Sequence, residues 1–295
     1  MSEYRAAAGN DYIVHERLEE LLGFLACPRC RGGLLLEMRR GGLRCEQCGA
    51  QFAFSNDIPL FAVPGAEDTR KEGAVSDAEA YIMMAKKEIA PDCAVSGRLF
   101  DAELGNTASV FLDIGCGVGR NLLVLRNSGI CRAYGFDLDE RLVRAAVEEF
   151  RLDNVFVANA GNIPVADGSA DVCLLYNTIE HVSDPEKVLC EAHRVLRPGG
   201  RLYVDAPNAR SAGDILFRWG GKVIHGRTSH IQKFTKERLE QMAERVGFGI
   251  ETCRTQHGIF VDYPQLEKFP LLKKATRALF GRETEGWEWK LSKKR

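Results

Sequence analysis

Val110-Phe111-Leu112-Asp113-Ile114-Gly115-Cys116-Gly117-Val118-Gly119 decides how this chain folds, because an apolar run passes directly into a turn in which every second residue is glycine. That order reads as a buried strand ending at a ligand. Without a Cβ, Gly115, Gly117 and Gly119 let the backbone take unusual dihedrals and approach a bound molecule closely, and Arg120 to Asn127 can open a helix behind them. Dinucleotide-binding units also carry a glycine turn between strand and helix, with an acidic residue about 20 positions later. Here that acid is Asp137, at the end of a second apolar strand, Ala133-Tyr134-Gly135-Phe136, where a carboxylate can accept both ribose hydroxyls. Spacing alone therefore fits two kinds of nucleoside ligand. The detail separates them: Arg120 stands where a pyrophosphate turn wants its last glycine, and Asp113 lies two residues ahead of Gly115. A pyrophosphate gains nothing from that carboxylate, whereas a cationic, amino-acid-bearing ligand does.

From Arg98 to Phe260 these residues resemble the class I S-adenosylmethionine-dependent methyltransferases, in particular the methyltransferase type 11 group that includes the ubiquinone-biosynthesis O-methyltransferases. The resemblance implies an α/β fold with a Rossmann-like, seven-stranded, mostly parallel sheet. It also implies a cofactor set. Asp113, Gly115, Cys116, Gly117 and Gly119 would carry the methionine part, and Asp137 with Leu138 the ribose. Asn159 and Ala160, ahead of Ile163-Pro164, would read adenine, and Asn177 would close the cleft after the fourth strand. Ile179-Glu180-His181-Val182 and Arg194-Val195-Leu196-Arg197-Pro198-Gly199-Gly200 match later landmarks of the group. The implied acid–base residues are His181, after the fourth strand, and His230, in a Ser229-His230-Ile231-Gln232-Lys233-Phe234 step on the acceptor side. A Glu-x-x-Glu-His cluster binds a divalent metal in some of these enzymes. Asn177 occupies its first position here, leaving only Glu180-His181, so the resemblance does not carry metal dependence over.

Ahead of this domain, Cys27-Pro28-Arg29-Cys30 and Cys45-Glu46-Gln47-Cys48 are separated by fourteen residues. Cys27, Cys30, Cys45 and Cys48 can thus close a tetrahedron around a structural zinc ion, a redox dithiol being the competing reading. Leu34-Leu35-Leu36, the turn at Arg40-Gly41-Gly42 and Leu43 read as a hairpin between the knuckles, and Gln51 to Phe54 with Ile58 to Phe61 as a further strand and turn. Leu22 to Val63 resembles the small zinc-binding domain of tRNA-methyltransferase activator proteins, departing from it at Asp57, where a glycine usually precedes Ile-Pro. The expected organisation is a zinc-ribbon β domain with an N-terminal helix over residues 1–64, a linker and lid helix over 65–97, and the methyltransferase domain over 98–295. Tyr81 of the lid helix and Arg98 after it are candidate cofactor contacts, packing and surface charge being the competing reading, and Met83-Met84 is expected in the core.

The rest of the chain supports that division. With 295 residues and a formal net charge of -1 there is room for a core plus a module, and no global basic field toward nucleic acid. No stretch is long and apolar enough to span a bilayer, and Met1 to Asn10 lacks the order of a signal peptide, so a cytoplasmic location without membrane contact is expected. The other six of the ten cysteines, Cys93, Cys116, Cys131, Cys173, Cys190 and Cys253, read as small buried hydrophobes. Asp139, Asp184-Pro185 and Thr235 read as helix starts, and Trp287 to Leu291 as a last, antiparallel strand.

The function that follows is methyl transfer from S-adenosylmethionine to a small-molecule acceptor, on oxygen in preference to nitrogen or carbon. Residues 209–229 and 262–285 bring aromatic and basic groups toward the acceptor mouth and equally suit a homodimer contact. RNA is the second acceptor class, supported by Arg29, Arg31, Arg39, Arg40 and Arg44 around the knuckles, although Tyr176-Asn177-Thr178-Ile179 is not the Asn/Asp-Pro-Pro-Tyr type of motif suited to base chemistry. A non-enzymatic partner role is the third reading. Asn159 stands where the resembling pattern has aspartate, and its amide carbonyl can still accept from the adenine amine. Asn159→Asp should therefore tighten S-adenosylhomocysteine binding in calorimetry; unchanged or poorer affinity would remove Asn159 from the adenine site.

Overall fold

The computed structural model describes residues 20–37, 42–55, 58–61, 78–79, 81–83, 85–86, 98–208, 232, 234–256 and 286–294. Strands β1 (Leu34–Glu37), β2 (Gly42–Cys45), β3 (Gln51–Ser55) and β4 (Ile58–Leu60) form an antiparallel meander. Strand and helix then alternate: β5 (Phe111–Ile114), α1 (Arg120–Asn127), β6 (Ala133–Asp137), α2 (Glu140–Phe150), β7 (Val155–Val157), β8 (Ala170–Leu175), α3 (Pro185–Val195), β9 (Leu196–Pro207), α4 (Lys236–Val246), β10 (Phe248–Gln256) and β11 (Gly286–Lys293). The larger sheet runs β7-β6-β5-β8-β9-β11-β10, parallel throughout except that β11 is antiparallel to both neighbours. This is the seven-stranded Rossmann-like sheet expected from the sequence.

Local chemistry accounts for the elements. Leu112 and Ile114 face one core and Phe111 the other, so β5 alternates between two buried layers, as a central parallel strand must. Asp139, Asp184 and Thr235 each accept a backbone N–H of the first turn of α2, α3 and α4, at Arg141, Lys187 and Arg238 respectively. Gly247, at φ 109°, ends α4 in the left-handed region.

The N-terminal strands do not form a sheet of their own. Leu60 of β4 pairs in parallel with Val157 of β7, and the Phe61 amide donates to the Val157 carbonyl at 2.8 Å, giving one sheet of eleven strands. The physical reason is the edge: β7 would otherwise present unpaired backbone groups, and the ribbon covers them. Side chains seal the seam. Phe61 is fully buried and packs edge-on against Phe156 at 6.1 Å and against Phe52 at 5.2 Å, while Phe156 stacks on Phe136 at 5.3 Å. A second seam lies ahead of the first knuckle, where Leu25 bridges Val165 and the Ala26 amide donates to the Pro164 carbonyl at 2.9 Å.

Two expectations need correction. Met83 is 61% exposed, because Ala78 and Ala85 form the buried side of its helix and leave Met83 on the other; Met84 lies outside the described residues. Of the scattered cysteines, Cys116 and Cys173 are buried, Cys253 is half-buried, and Cys131 and Cys190 are exposed, Cys93 lying outside the described residues. Because the ribbon and the larger sheet share the Phe61–Phe156 contact, Phe61→Ala should destabilise the protein by about 3–5 kcal/mol. Urea denaturation followed by tryptophan fluorescence would show it; a loss below about 1 kcal/mol would mean that the seam relaxes without cost.

Candidate functional site

The glycine turn at the end of β5 is a backbone arrangement that only glycine enters freely. Gly115, Gly117 and Gly119 have φ of 76°, 56° and 83°. At Gly115 sterics add to conformation, since a Cβ would lie 2.4 Å from Thr178 Oγ1, whose hydroxyl donates to the Gly115 carbonyl at 3.3 Å. The amides of Gly115 and Cys116 both donate to the Phe136 carbonyl, at 2.9 and 2.8 Å, which ties the turn to the end of β6.

That tie places Asp137 beside the turn. Its Oδ2 accepts from the Gly117 amide at 3.0 Å and its Oδ1 from the Asp139 amide at 2.8 Å, so the carboxylate is oriented before any ligand arrives. Leu138 follows, half-buried. Asp113 is buried at the strand end, held by Asn121 Nδ2 at 3.2 Å to both of its oxygens, and Asn121 Oδ1 in turn accepts from Arg98 Nη1 at 2.8 Å. Burial pushes the Asp113 carboxyl up to about 7, against the lowering effects of Asn121 and Arg98. Cys116 is buried with its thiol raised by the same desolvation, which makes it a packing group rather than a nucleophile. Tyr81 lies over Gly117, its ring 3.4 Å from where a Cβ would be, so the helix around it covers the turn.

On the far side, Asn159 Oδ1 accepts from the Gly161 amide at 2.8 Å and the Asn159 carbonyl from the Asn162 amide at 2.9 Å, closing a tight turn that carries Ala160. Asn177 sits after β8 with φ 49°, a left-handed conformation asparagine tolerates, and its amide donates to Asp205 Oδ1. The structure thus gathers Asp113, the glycine turn, Asp137, Asn159 and Asn177 at the carboxyl ends of β5, β6, β7 and β8, where open parallel sheets bind ligands.

His181 closes a short 3₁₀ helix, Ile179–His181, after β8 and is about one third exposed. Its Nε2 is 3.8 Å from Glu180 Oε1, beyond hydrogen-bond reach. Glu180 is buried, and desolvation, then the nearby Asp205 charge, raise its carboxyl to about 8. His230 lies outside the described residues, as do 209–229 and all of 262–285. The end of its segment is described: the Gln232 amide donates to the Glu180 carbonyl at 2.9 Å, and Phe234 is fully buried beside the Asn208 bridge. That docking brings the acceptor-side segment against the loop of His181.

Two supporting residues escaped the sequence reading. Gly135, inside β6, leaves room for the turn, since a Cβ there would meet Cys116 Cβ at 3.0 Å and Leu122 Cδ1 at 2.7 Å. A glycine within an apolar strand was the available signal. Asn121 fixes Asp113, and a lone amide in the apolar run Leu122-Leu123-Val124 could have marked it.

In the ribbon, the four sulfurs of Cys27, Cys30, Cys45 and Cys48 lie within 4.8 Å of one another, with Cys27–Cys48 at 3.7 Å and Cys30–Cys45 at 3.4 Å. A tetrahedral zinc with bonds of about 2.3 Å sets sulfur–sulfur edges near ~3.8 Å, so the donor set fits zinc, with every position taken by protein and none open for chemistry. The knuckles are paired in conformation: Arg31 at φ 66° donates its amide to the Cys27 carbonyl at 2.8 Å, and Gly49 at φ 69° donates to Cys45 at 3.1 Å.

Residues 112–204 match the methyltransferase domain family and residues 19–53 the Trm112p-like protein family. A protein described as an S-adenosylmethionine-dependent methyltransferase in Mycolicibacterium smegmatis is 30% identical over 50% of this chain and 55% of its own. The malonyl-[acyl-carrier protein] O-methyltransferase of Hahella chejuensis is 33% identical over 45% of this chain and 47% of its own. The demethylmenaquinone methyltransferase of Tropheryma whipplei is 35% identical over 34% and 43%. The chain thus spans roughly half or less of the length of these curated relatives. Among solved structures, a chain from the complex of the Haloferax volcanii Trm112 methyltransferase activator with a methyltransferase aligns over 77% of this chain and 99% of its own, with a TM-score of 0.58 and 18% identity. A methyltransferase from Thermotoga maritima aligns over 75% and 97%, with a TM-score of 0.51 and 21% identity.

The raised Asp113 makes a pH prediction. A carboxyl shifted up in the folded state is protonated below about 7, and a cationic ligand beside it favours the ionised form. Binding of S-adenosylhomocysteine should therefore tighten as pH rises from 6 toward 8 and release a proton, seen as a buffer-dependent heat in calorimetry. Asp113→Asn should abolish that dependence; if it persists, the proton belongs elsewhere.

Proposed function

We propose that this chain, a class I S-adenosylmethionine-dependent methyltransferase domain carrying an activator-like ribbon, transfers a methyl group to a small-molecule acceptor, on oxygen in preference to nitrogen or carbon. The observation that carries the reading is the pre-oriented Asp137 carboxylate, fixed by the amides of Gly117 and Asp139, beside the buried Asp113. Bound S-adenosylmethionine supplies an electrophilic methyl on a sulfonium. The chain's residues then have to hold the nucleoside, exclude water and remove a proton. Asp137 would accept the ribose hydroxyls, Asn159 and Ala160 would face adenine, and Asp113 would complement the ammonium of the methionine part. Cys116, Gly117 and Gly119 would let that part lie against backbone, with Tyr81 covering it.

Positioning supplies much of the rate of an in-line displacement. For a hydroxyl acceptor, His181 is the proton acceptor of this reading: it is about one third exposed and lies on the loop that Gln232 docks on, while Glu180 beside it is buried. His230 is the second candidate. The ribbon over residues 1–64 would be structural, with zinc on Cys27, Cys30, Cys45 and Cys48, and the lid over 65–97 would cover the methyltransferase domain over 98–295. An activator module in cis suits the edge seam at β4 and β7. An RNA acceptor is less well supported, because Arg31 and Arg44 of the basic set are engaged internally, with Glu191 at 3.2 Å and Glu37 at 2.5 Å.

Among the described residues no helix is long and apolar enough to cross a membrane. The test is methyl transfer from labelled S-adenosylmethionine to metabolite and RNA fractions of the host. Label should enter a small molecule, Asp137→Ala should weaken cofactor binding at least about tenfold, and His181→Ala should slow transfer about 100-fold or more with binding retained. Preference for NADH, or full activity in both His181→Ala and His230→Ala, would overturn the corresponding assignment.

A further inference from the structure

Arg31 follows the last cysteine of the first knuckle in a left-handed conformation that disfavours any side chain, at the position where the second knuckle uses Gly49. What it does there is reach across the seam. Its Nη1 donates to the Ile163 carbonyl at 2.9 Å, and its Nη2 to Asn162 Oδ1 at 3.2 Å and to Glu191 at 3.2 and 3.3 Å. Glu191, nearly buried on α3, accepts the Ile163 amide at 2.7 Å. Arg194 completes the clamp from the same helix, donating to the Ile163 carbonyl at 2.8 Å and to Glu191 at 2.8 Å. The clamped residues end the Asn159–Asn162 turn, closed by its own two hydrogen bonds, so a shift of Asn162 is transmitted to Asn159.

We propose that Arg31 is a positioning residue through which metal loading of the Cys27–Cys30 knuckle sets the affinity of the adenine-side loop for its nucleoside. This rests on the assignment of Asn159 and Ala160 to adenine. Two features make it a coupling rather than a glue. The Arg31 amide is tied to the Cys27 carbonyl at 2.8 Å, so metal on Cys27 and Cys30 would fix the curvature that aims Arg31, and the knuckle's other strut, the Ala26 amide on Pro164, grips the same loop two residues beyond Asn162. Arg194 keeps part of the clamp when Arg31 is lost, so the effect is graded.

The experiment uses the full chain and Arg31→Gly, which accepts the left-handed backbone and removes the whole side chain with its guanidinium, with Arg29→Ala on the same knuckle as control. Arg31→Gly should retain one zinc by atomic absorption and bind S-adenosylhomocysteine about tenfold more weakly, a usual size for coupled sites. Hydrogen exchange at the Gly161 and Ile163 amides should be faster. Chelation should weaken the unmodified protein by a similar factor and Arg31→Gly little further, with Arg29→Ala behaving as unmodified. Should Arg31→Gly lose its metal, Arg31→Lys, which keeps the charge without the fork, carries the same comparison. Unchanged affinity and exchange in Arg31→Gly, or equal losses on chelation in both proteins, would overturn the coupling. If the unmodified protein does not bind the nucleoside, the functional assignment fails, and amide exchange alone decides whether the knuckle holds the loop.

Discussion

The hydrogen bond from the Gly117 amide to Asp137 is the contact on which the cleft depends. It joins the turn after β5 to the end of β6, and it exists only because three glycines allow the backbone to run left-handed at Gly115, Gly117 and Gly119. Any side chain at Gly115 would strike Thr178, and any at Gly135 would press on Leu122 and Cys116. The site is therefore made mostly of backbone and of the absence of side chains, with a few carboxylates placed where amides already point. Such pre-orientation lets a ligand bind without first reorganising polar groups.

A second constraint is the sheet edge. Parallel strands buried on both faces need both flanks finished, and the β7 flank is finished by the ribbon rather than by a loop. The aromatic run Phe52, Phe61, Phe156 and Phe136 continues one core from the small unit into the large one. So small a ribbon has little core of its own and leans on this neighbour, with four clustered cysteine sulfurs able to hold a metal besides. The same seam brings the first knuckle within reach of the loop after β7, where Arg31 meets Asn162 and Ile163.

Much of this was legible in the residues. The alternation of strands and helices, the caps at Asp139, Asp184 and Thr235, and the paired cysteine knuckles all depend on local periodicity and spacing. The assignment of Asp137 to the turn came from spacing as well. Where the reading failed, it lacked neighbours: Met83 looks like core until the small residues Ala78 and Ala85 are seen to form the packed side of its helix. Asn121 and Gly135 carry a local signal but not the identity of their partners, and Arg31 acts on partners 131 and 132 positions away, which nothing in its immediate surroundings marks.

Sequence by itself determined the alternating α/β class, the glycine turn with its two acids and the paired cysteine knuckles, because each follows from short-range pattern and backbone stereochemistry. Only the tertiary structure decided that the ribbon extends the larger sheet, that Asn121 holds Asp113 from behind, and that Arg31 spans from a metal knuckle to the loop of Asn159. Those are matters of which edges, faces and buried charges meet, and such meetings are set by the minimum in free energy of the whole packed chain rather than by any segment of it.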